Sequence, residues 1–140
     1  MRIVLDTAAL ISALRSSNGA AAEIVRLVLK REVELLLDFK LVCEYREVAL
    51  RPEHLEAAGR SRGEVETVIE AVESVAIPVF VSVSHRPLSP DPNDDMVLDV
   101  AINGHADAIV TNNLRDFRKA AGLFGIAVRT PKAFLLEIRR

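Results

Sequence analysis

Short apolar runs with no polar residue inside them punctuate this chain, and they limit its possible folds more than any other feature. Ile3-Val4-Leu5, Leu35-Leu36-Leu37 and Ala108-Ile109-Val110 are too brief for helices and apolar at every position, so they read as strands buried from both sides. Longer stretches with helical spacing separate them. Gly19 to Arg31 puts Ala21, Ile24, Val25 and Val28 on one stripe. Glu34 to Leu37 is a second strand. Asp38 then stands where an N-cap belongs, and Leu41, Val42, Tyr45, Val48 and Ala49 carry a helix to about Leu50. Pro52 suits the first turn of another helix. Ser61 and Glu64 have capping-box spacing and open a helix on Val65, Val68, Ile69 and Val72. Ile77 to Val83, rich in β-branched residues, predicts a third strand, with Pro78 placing its start near an edge. Ser84 to Asn93 holds Pro87, Pro90 and Pro92 and reads as a loop. Asp94-Asp95 opens a helix to about Gly104, Ala108 to Val110 is a fourth strand and Gly125 to Val128 a fifth. Pro131 starts a last helix through Phe134, Leu135 and Ile138. This alternation predicts a three-layer α/β/α fold with a mostly parallel central sheet of about five strands.

A length of 140 residues, without repeats or a dividing linker, predicts one domain over residues 1–140. Half of the residues are apolar, which excludes a disordered chain. No apolar run approaches the roughly 20 residues of a membrane span, and the N-terminal run is too short for a secretory signal, so the expectation is a cytoplasmic protein with no membrane partner. Cys43 is the sole cysteine, which rules out an intrachain disulfide and a cysteine-rich zinc module. His54, His85 and His105 lack zinc-ligand spacing. A net charge of −2 does not suit a protein that coats polyanions generally, although a local basic patch can act within an acidic total. Aromatic residues are 4% of the chain, which argues against a single-strand binder built on stacking platforms.

The acids fall in a suggestive pattern. Ligands of open parallel sheets sit outside the carboxyl ends of the strands. Asp6 follows the first strand, and Asn112 and Asn113 follow the fourth. Asp94 shares a helical stripe with Val97, Leu98 and Ala101 and so borders the core, whereas Asp95 shares a face with Asp99 that reads as wetter. Glu44 lies between Leu41 and Val48, again at the core's border. Taken singly these have ordinary explanations: a turn or cap for Asp6, a solvated acid for Glu44 and Asp99, helix-start capping for Asp94-Asp95. Taken together they raise an electrostatic problem. Two carboxylates about 5 Å apart repel by roughly 3 kcal/mol at an effective dielectric of about 20. If Asp6, Glu44 and Asp94 converge, they must spread, take up protons or bind a cation. Oxygen-only ligands favour Mg²⁺ or Mn²⁺. Nucleotide-cradling glycine motifs and a G-x-S-x-G nucleophile are absent from the sequence.

These motifs resemble the PIN-domain ribonucleases, most closely the VapC-like toxins. The matching segments are Ile3-Val4-Leu5-Asp6-Thr7, Leu41-Val42-Cys43-Glu44-Tyr45, Asp91-Pro92-Asn93-Asp94-Asp95 with Ala101 downstream, and Ile109-Val110-Thr111-Asn112-Asn113-Leu114-Arg115-Asp116-Phe117. The resemblance runs from Arg2 to about Leu136 and implies that Asp6, Glu44 and Asp94 are metal-binding catalytic acids, with Asp95 in reserve should the register slip by one. The family's fourth acid falls on Asn113, a departure that removes one negative charge; Asp116, three residues on, can supply a carboxylate from the same loop. Thr7 and Thr111 become hydrogen-bond partners of the acids, although Thr7 could equally cap the following helix. The implied activity is hydrolysis of RNA phosphodiester bonds with Mg²⁺ or Mn²⁺, leaving a 5′-phosphate and a 3′-hydroxyl. Candidate contacts to single-stranded RNA are Arg15, Lys40, Arg115, Arg118 and Lys119, although exposed cations more often just solvate a helix. A homodimer and a cognate antitoxin, inserting an arginine into the acidic site, are also implied.

The alternative is a catalytically weak PIN-like domain that binds RNA or a partner, which Asn113 favours. Two other α/β phosphoryl-transfer families fit poorly. A haloacid-dehalogenase-type phosphatase needs a second aspartate where Ala8 stands, and a receiver domain needs an acidic neighbour for Asp6.

Overall fold

The computed structural model describes residues 1–82 and 92–139. In chain order the elements are β1 (Arg2–Leu5), α1 (Thr7–Arg15), α2 (Ala20–Leu29), β2 (Glu34–Leu37), α3 (Phe39–Ala49), α4 (Pro52–Ala58), α5 (Arg62–Val75), β3 (Ile77–Pro78), α6 (Pro92–Asn103), β4 (Ala108–Val110), α7 (Leu114–Leu123), β5 (Ala127–Arg129) and α8 (Pro131–Ile138). The strands form one five-stranded sheet of order β3-β2-β1-β4-β5, parallel at every pairing. The fold is therefore the three-layer α/β/α arrangement that the alternation of strands and helices requires. Among the described residues no helix is long and apolar enough to cross a membrane.

Local chemistry explains most element starts. The Asp38 carboxylate accepts from the Leu41 N–H at 2.8 Å and caps α3. Ser61 and Glu64 satisfy each other's backbone N–H groups in a complete capping box at α5. Pro52 and Pro131 occupy first turns, where a missing N–H costs nothing. Two helices carry no separate expectation from sequence. In α1, Ala9, Leu10, Ile11, Ala13 and Leu14 are all buried, so apolar residues surround most of the helix and no polar face marks its period. In α7, the stripe of Phe117, Ala120 and Ala121 is short and lies within a segment rich in charge.

Two strand expectations are corrected. The third strand, expected from Ile77 to Val83, is only Ile77–Pro78. Its partner β2 ends at Leu37, because Asp38 turns away to cap α3, so the last rung is the Val79 N–H to the Leu37 carbonyl at 2.8 Å. Beyond it Ser82 bonds to the Asn103 side chain at 3.1 Å, at the end of α6. The fifth strand starts at Ala127 and not at Gly125, since Gly125 has φ +69° and turns the chain out of α7. Pro78 does lie on an edge strand. Residue 83 and residues 84–91 of the expected loop lie outside the described residues, and its last two positions belong to α6.

The central strand is β1, flanked by β2 and β4. Ile3 and Val4 are fully buried, as are Leu36, Ile109 and Val110 beside them. The chain leaves β1 towards β2 but leaves β4 towards β5, in opposite directions across the sheet. Right-handed crossovers then place the helices between β1 and β3 on one face and α6 and α7 on the other. The contacts agree: α1 packs on α2 and α3, and α6 packs on α7. The carboxyl ends of β1 and β4 thus flank a topological switch point, where a crevice opens in sheets of this kind.

Gly104, at the end of α6, allows a close approach. A Cβ there would lie 2.8 Å from Leu36 Cδ1 and 2.9 Å from both the Val100 carbonyl oxygen and Val79 Cγ2. Gly104→Ala should therefore destabilise the fold by about 1–3 kcal/mol. Urea unfolding should show a lower midpoint with an unchanged slope; an unaltered midpoint would mean that the crowding is relieved at no cost.

Candidate metal centre

Asp6 follows the last residue of β1, and its N–H bonds to the Val110 carbonyl at 3.2 Å, extending the β1–β4 pairing by one step. Its carboxylate is 7% exposed and accepts two hydrogen bonds. One comes from the Ala9 N–H at 2.7 Å, which makes Asp6, and not Thr7, the cap of α1. The other comes from the Thr111 hydroxyl, which is fully buried at the end of β4. Thr111 Oγ in turn accepts from the Asn113 N–H at 2.9 Å. Thr7, released from capping, donates its hydroxyl to Glu44 Oε2 at 2.5 Å. Asp6, Thr7, Glu44 and Asp94, together with Val48 and Val97, line a cavity of about 200 Å³. The fold thus gathers side chains from the β1–α1 junction, α1, α3 and α6 that lie up to 88 residues apart in sequence (Asp6 to Asp94).

Burial pushes the Asp6 carboxyl above its ordinary range, against the hydrogen bonds from Thr111 and Ala9 that favour its charge. The chain's one tyrosine, Tyr45, adds an element that the sequence places only on the core stripe of α3. It is fully buried, and its hydroxyl donates to the Leu5 carbonyl at 2.5 Å. Burial raises its phenol well above the usual value, and the negative charges of Asp6, Glu44 and Asp38 raise it further, so it remains a neutral donor. Tyr45 ties the helix bearing Glu44 to the residue before Asp6. A lone tyrosine beside a border acid on an otherwise apolar stripe is the signal that could have found it.

The α6 acids need a correction. Asp95 and Asp99, expected on the wetter face, are each 3% exposed. Asp94 is half-buried and reaches the cavity with Val97. The reason is that α6 packs on β1, β2 and β4 and also on α3 and α7, so it is covered on more than one side. Asp95, the reserve candidate, is not among the residues that line the cavity. Asn113 is exposed at the start of α7, and its amide donates to Asp116 Oδ2 at 2.6 Å. Arg15 is exposed at the far end of α1, Lys40 lies in the first turn of α3, and Arg115, Arg118 and Lys119 are exposed on α7.

The cavity's donors are carboxylate and hydroxyl oxygens, and among the described residues no lysine or arginine lines it. This chemistry fits a hard divalent cation. Among the described residues, no three His, Cys, Asp or Glu side chains are grouped closely enough to clasp an ion directly. The fit is therefore to an ion that keeps several of its waters, as Mg²⁺ does, rather than to a fully protein-ligated one.

The raised Asp6 carboxyl sets a pH dependence for the metal-free protein. In strong acid the group is protonated in both folded and unfolded chains and has no effect. As pH rises the unfolded chain ionises first, and stability is lost until the folded group ionises too. Asp6→Asn removes that loss. In EDTA its urea midpoint should gain on that of the wild type as pH rises above about 4, where an unfolded aspartate ionises; a constant difference would show that Asp6 is not strained by burial.

Comparison with known proteins agrees with this architecture. A search of curated proteins finds no significant match. Among solved structures, the fold is similar to the crystal structure of VapBC2 from Rickettsia felis bound to a DNA fragment from their promoter. That match has a TM-score of 0.62 and 14% sequence identity, covering 93% of this chain and 98% of that one. Residues 2–115, from the first residue of β1 into the first turn of α7, match the PIN domain, and the chain belongs to the PIN-domain family.

Proposed function

We propose that this protein is a metal-dependent endoribonuclease, a single PIN-like domain over residues 1–140 that serves as the toxin of a toxin–antitoxin pair. The observation that carries this reading is the oxygen-lined cavity of Asp6, Thr7, Glu44 and Asp94 at the switch point of a PIN-domain sheet. A bound Mg²⁺ or Mn²⁺ ion supplies positive charge for the scissile phosphate and makes water more acidic. The protein's part is to hold and orient. Asp6 and Glu44 face the cavity with their geometry fixed by Thr111 and Thr7 respectively. Asp94 supplies a carboxylate from the opposite layer of the fold, and Asp116 with Asn113 provides polar groups at the start of α7. Arg15, Lys40, Arg115, Arg118 and Lys119 are the cations proposed to hold single-stranded RNA by its phosphates.

The structural likeness to VapBC2 and the resemblance to VapC-like toxins support an antitoxin partner; a cytoplasmic location belongs to the same proposal. An arginine from such a partner would enter the acidic cavity for Coulombic reasons alone. A homodimer belongs to the same proposal and rests on the family resemblance. A second reading, a catalytically weak RNA- or partner-binding module, is favoured by the amide of Asn113 at the position of the family's fourth acid.

Cleavage of labelled single-stranded RNA separates the two readings. The nuclease reading expects Mn²⁺-dependent cleavage, with products ending in 5′-phosphate, that disappears in Asp6→Asn and in Asp94→Asn. Thr111→Val, which removes only the donor to Asp6, should weaken activity or Mn²⁺ affinity by about 10–100-fold. Wild-type protein that binds RNA without cutting it under any divalent ion would establish the binding module instead. Calorimetric titration with Mn²⁺ gives a reading independent of turnover: heat of binding in the wild type, and none in Asp6→Asn.

A further inference from the structure

Apart from the acidic cavity, the fold holds a larger cleft of about 550 Å³. It opens past the carboxyl ends of β2 and β3, between the first turn of α3 and the segment that follows Pro78. Phe39 and Phe80 line it and are 81% and 88% exposed. Exposing two of the chain's five phenylalanines on one cleft is costly in water, while Phe117 and Phe134 are fully buried. Val42 and Val79 form part of the apolar wall, and Lys40 is on its rim.

The charges select the occupant. Two acids also line the cleft, but each has a local partner. Asp38 caps α3 through the Leu41 N–H, and Glu73 pairs with Arg46 at 3.3 Å. Lys40 forms no ion pair with any described residue. The cleft thus combines two exposed aromatic faces with a lysine that no described residue holds in an ion pair, although the Asp38 carboxylate keeps its own charge nearby, and this suits a ligand with a flat apolar ring and an anionic backbone. Position points the same way. Phe39, Lys40 and Glu44 lie on one helix, with Phe39 about 7.5 Å from Glu44 along the axis and about 140° around it, a separation that an extended RNA strand can span.

We propose that this cleft is a base-stacking subsite for an unpaired nucleotide of RNA flanking the bond cut at the acidic cavity. Phe39 and Phe80 stack on the base and Lys40 holds a neighbouring phosphate. Sequence preference then arises from stacking strength at this position, without a base-edge code. The inference rests on the RNA-cleavage reading for its substrate, and the test below keeps the two apart.

The probe is a fluorescein-labelled, unstructured 12-nucleotide RNA, with binding measured by anisotropy in EDTA so that nothing is cut. Phe39→Ala and Phe80→Ala should each weaken binding about tenfold or more, while Phe39→Tyr retains it. Both alanine variants should keep the wild-type melting temperature, because both rings are exposed. The same RNA made fully abasic should bind wild type and alanine variants alike. Lys40→Ala should lower the slope of log affinity against log salt by about 0.7, the share of one single-strand phosphate. Wild-type affinity in both phenylalanine variants, beside intact RNA cleavage, overturns the subsite and leaves the nuclease standing. Failure of the wild type to bind or cut RNA at all removes the reading beneath it. Sedimentation provides the last control: phenylalanine variants that lose self-association but bind RNA normally would make the cleft an interface between copies, and the subsite would be wrong.

Discussion

Asp6 ends the middle strand of the sheet, where its carboxylate is almost out of reach of water. A charge placed there must be met by donors, and the surrounding structure supplies them: the first turn of α1 offers the Ala9 N–H, and β4 offers the Thr111 hydroxyl. Both depend on register. Leu5 pairs with Val110, so the next residues, Asp6 and Thr111, come side by side. A one-residue slip of β4 would bring either Val110 or Asn112 to that place and leave the carboxylate poorly met. The donors do not fully offset burial, and the carboxyl remains harder to ionise than a free one. The same parallel pairing that builds the core therefore also builds a place where a cation would relieve strain.

The second link is Tyr45. Its hydroxyl reaches from α3 to the Leu5 carbonyl, and the adjacent Glu44 accepts from Thr7. The helix after β2 is thus joined to both sides of Asp6. The geometry of the acids is set by side chains that do not themselves line the acidic cavity, such as Tyr45 and Thr111.

How much of this was legible in the sequence follows from where the information lies. Start signals are local: Asp38 and Ser61 with Glu64 announce their helices because their partners lie within four residues, and Pro52 and Pro131 because their own rings suit a first turn. The apolar runs of β1, β2 and β4 are equally plain, since burial on both faces leaves no polar residue in them. What failed depended on distant partners. The length of β3 was set by where β2 ends, and Asp95 and Asp99 were judged by helical period as though α6 had one buried face. A helix wedged between a sheet and other helices has no such simple division. For the site, a motif resemblance pointed to Asp6, Glu44 and Asp94, and the fold places all three around one cavity. Tyr45 looked like packing because its hydrogen bond crosses 40 residues of chain.

The brevity of β3 has a consequence for solubility. Parallel sheets rich in unbroken aliphatic triplets are at risk of recruiting foreign strands along an open margin. Just past β3 the Val79 amide points inward to Leu37, so the alternation of a strand aims the preceding position outward. That position is Pro78, which has no hydrogen to give. A would-be intruder along this border meets two residues of ribbon and a missing donor, and ladder growth stops before it begins.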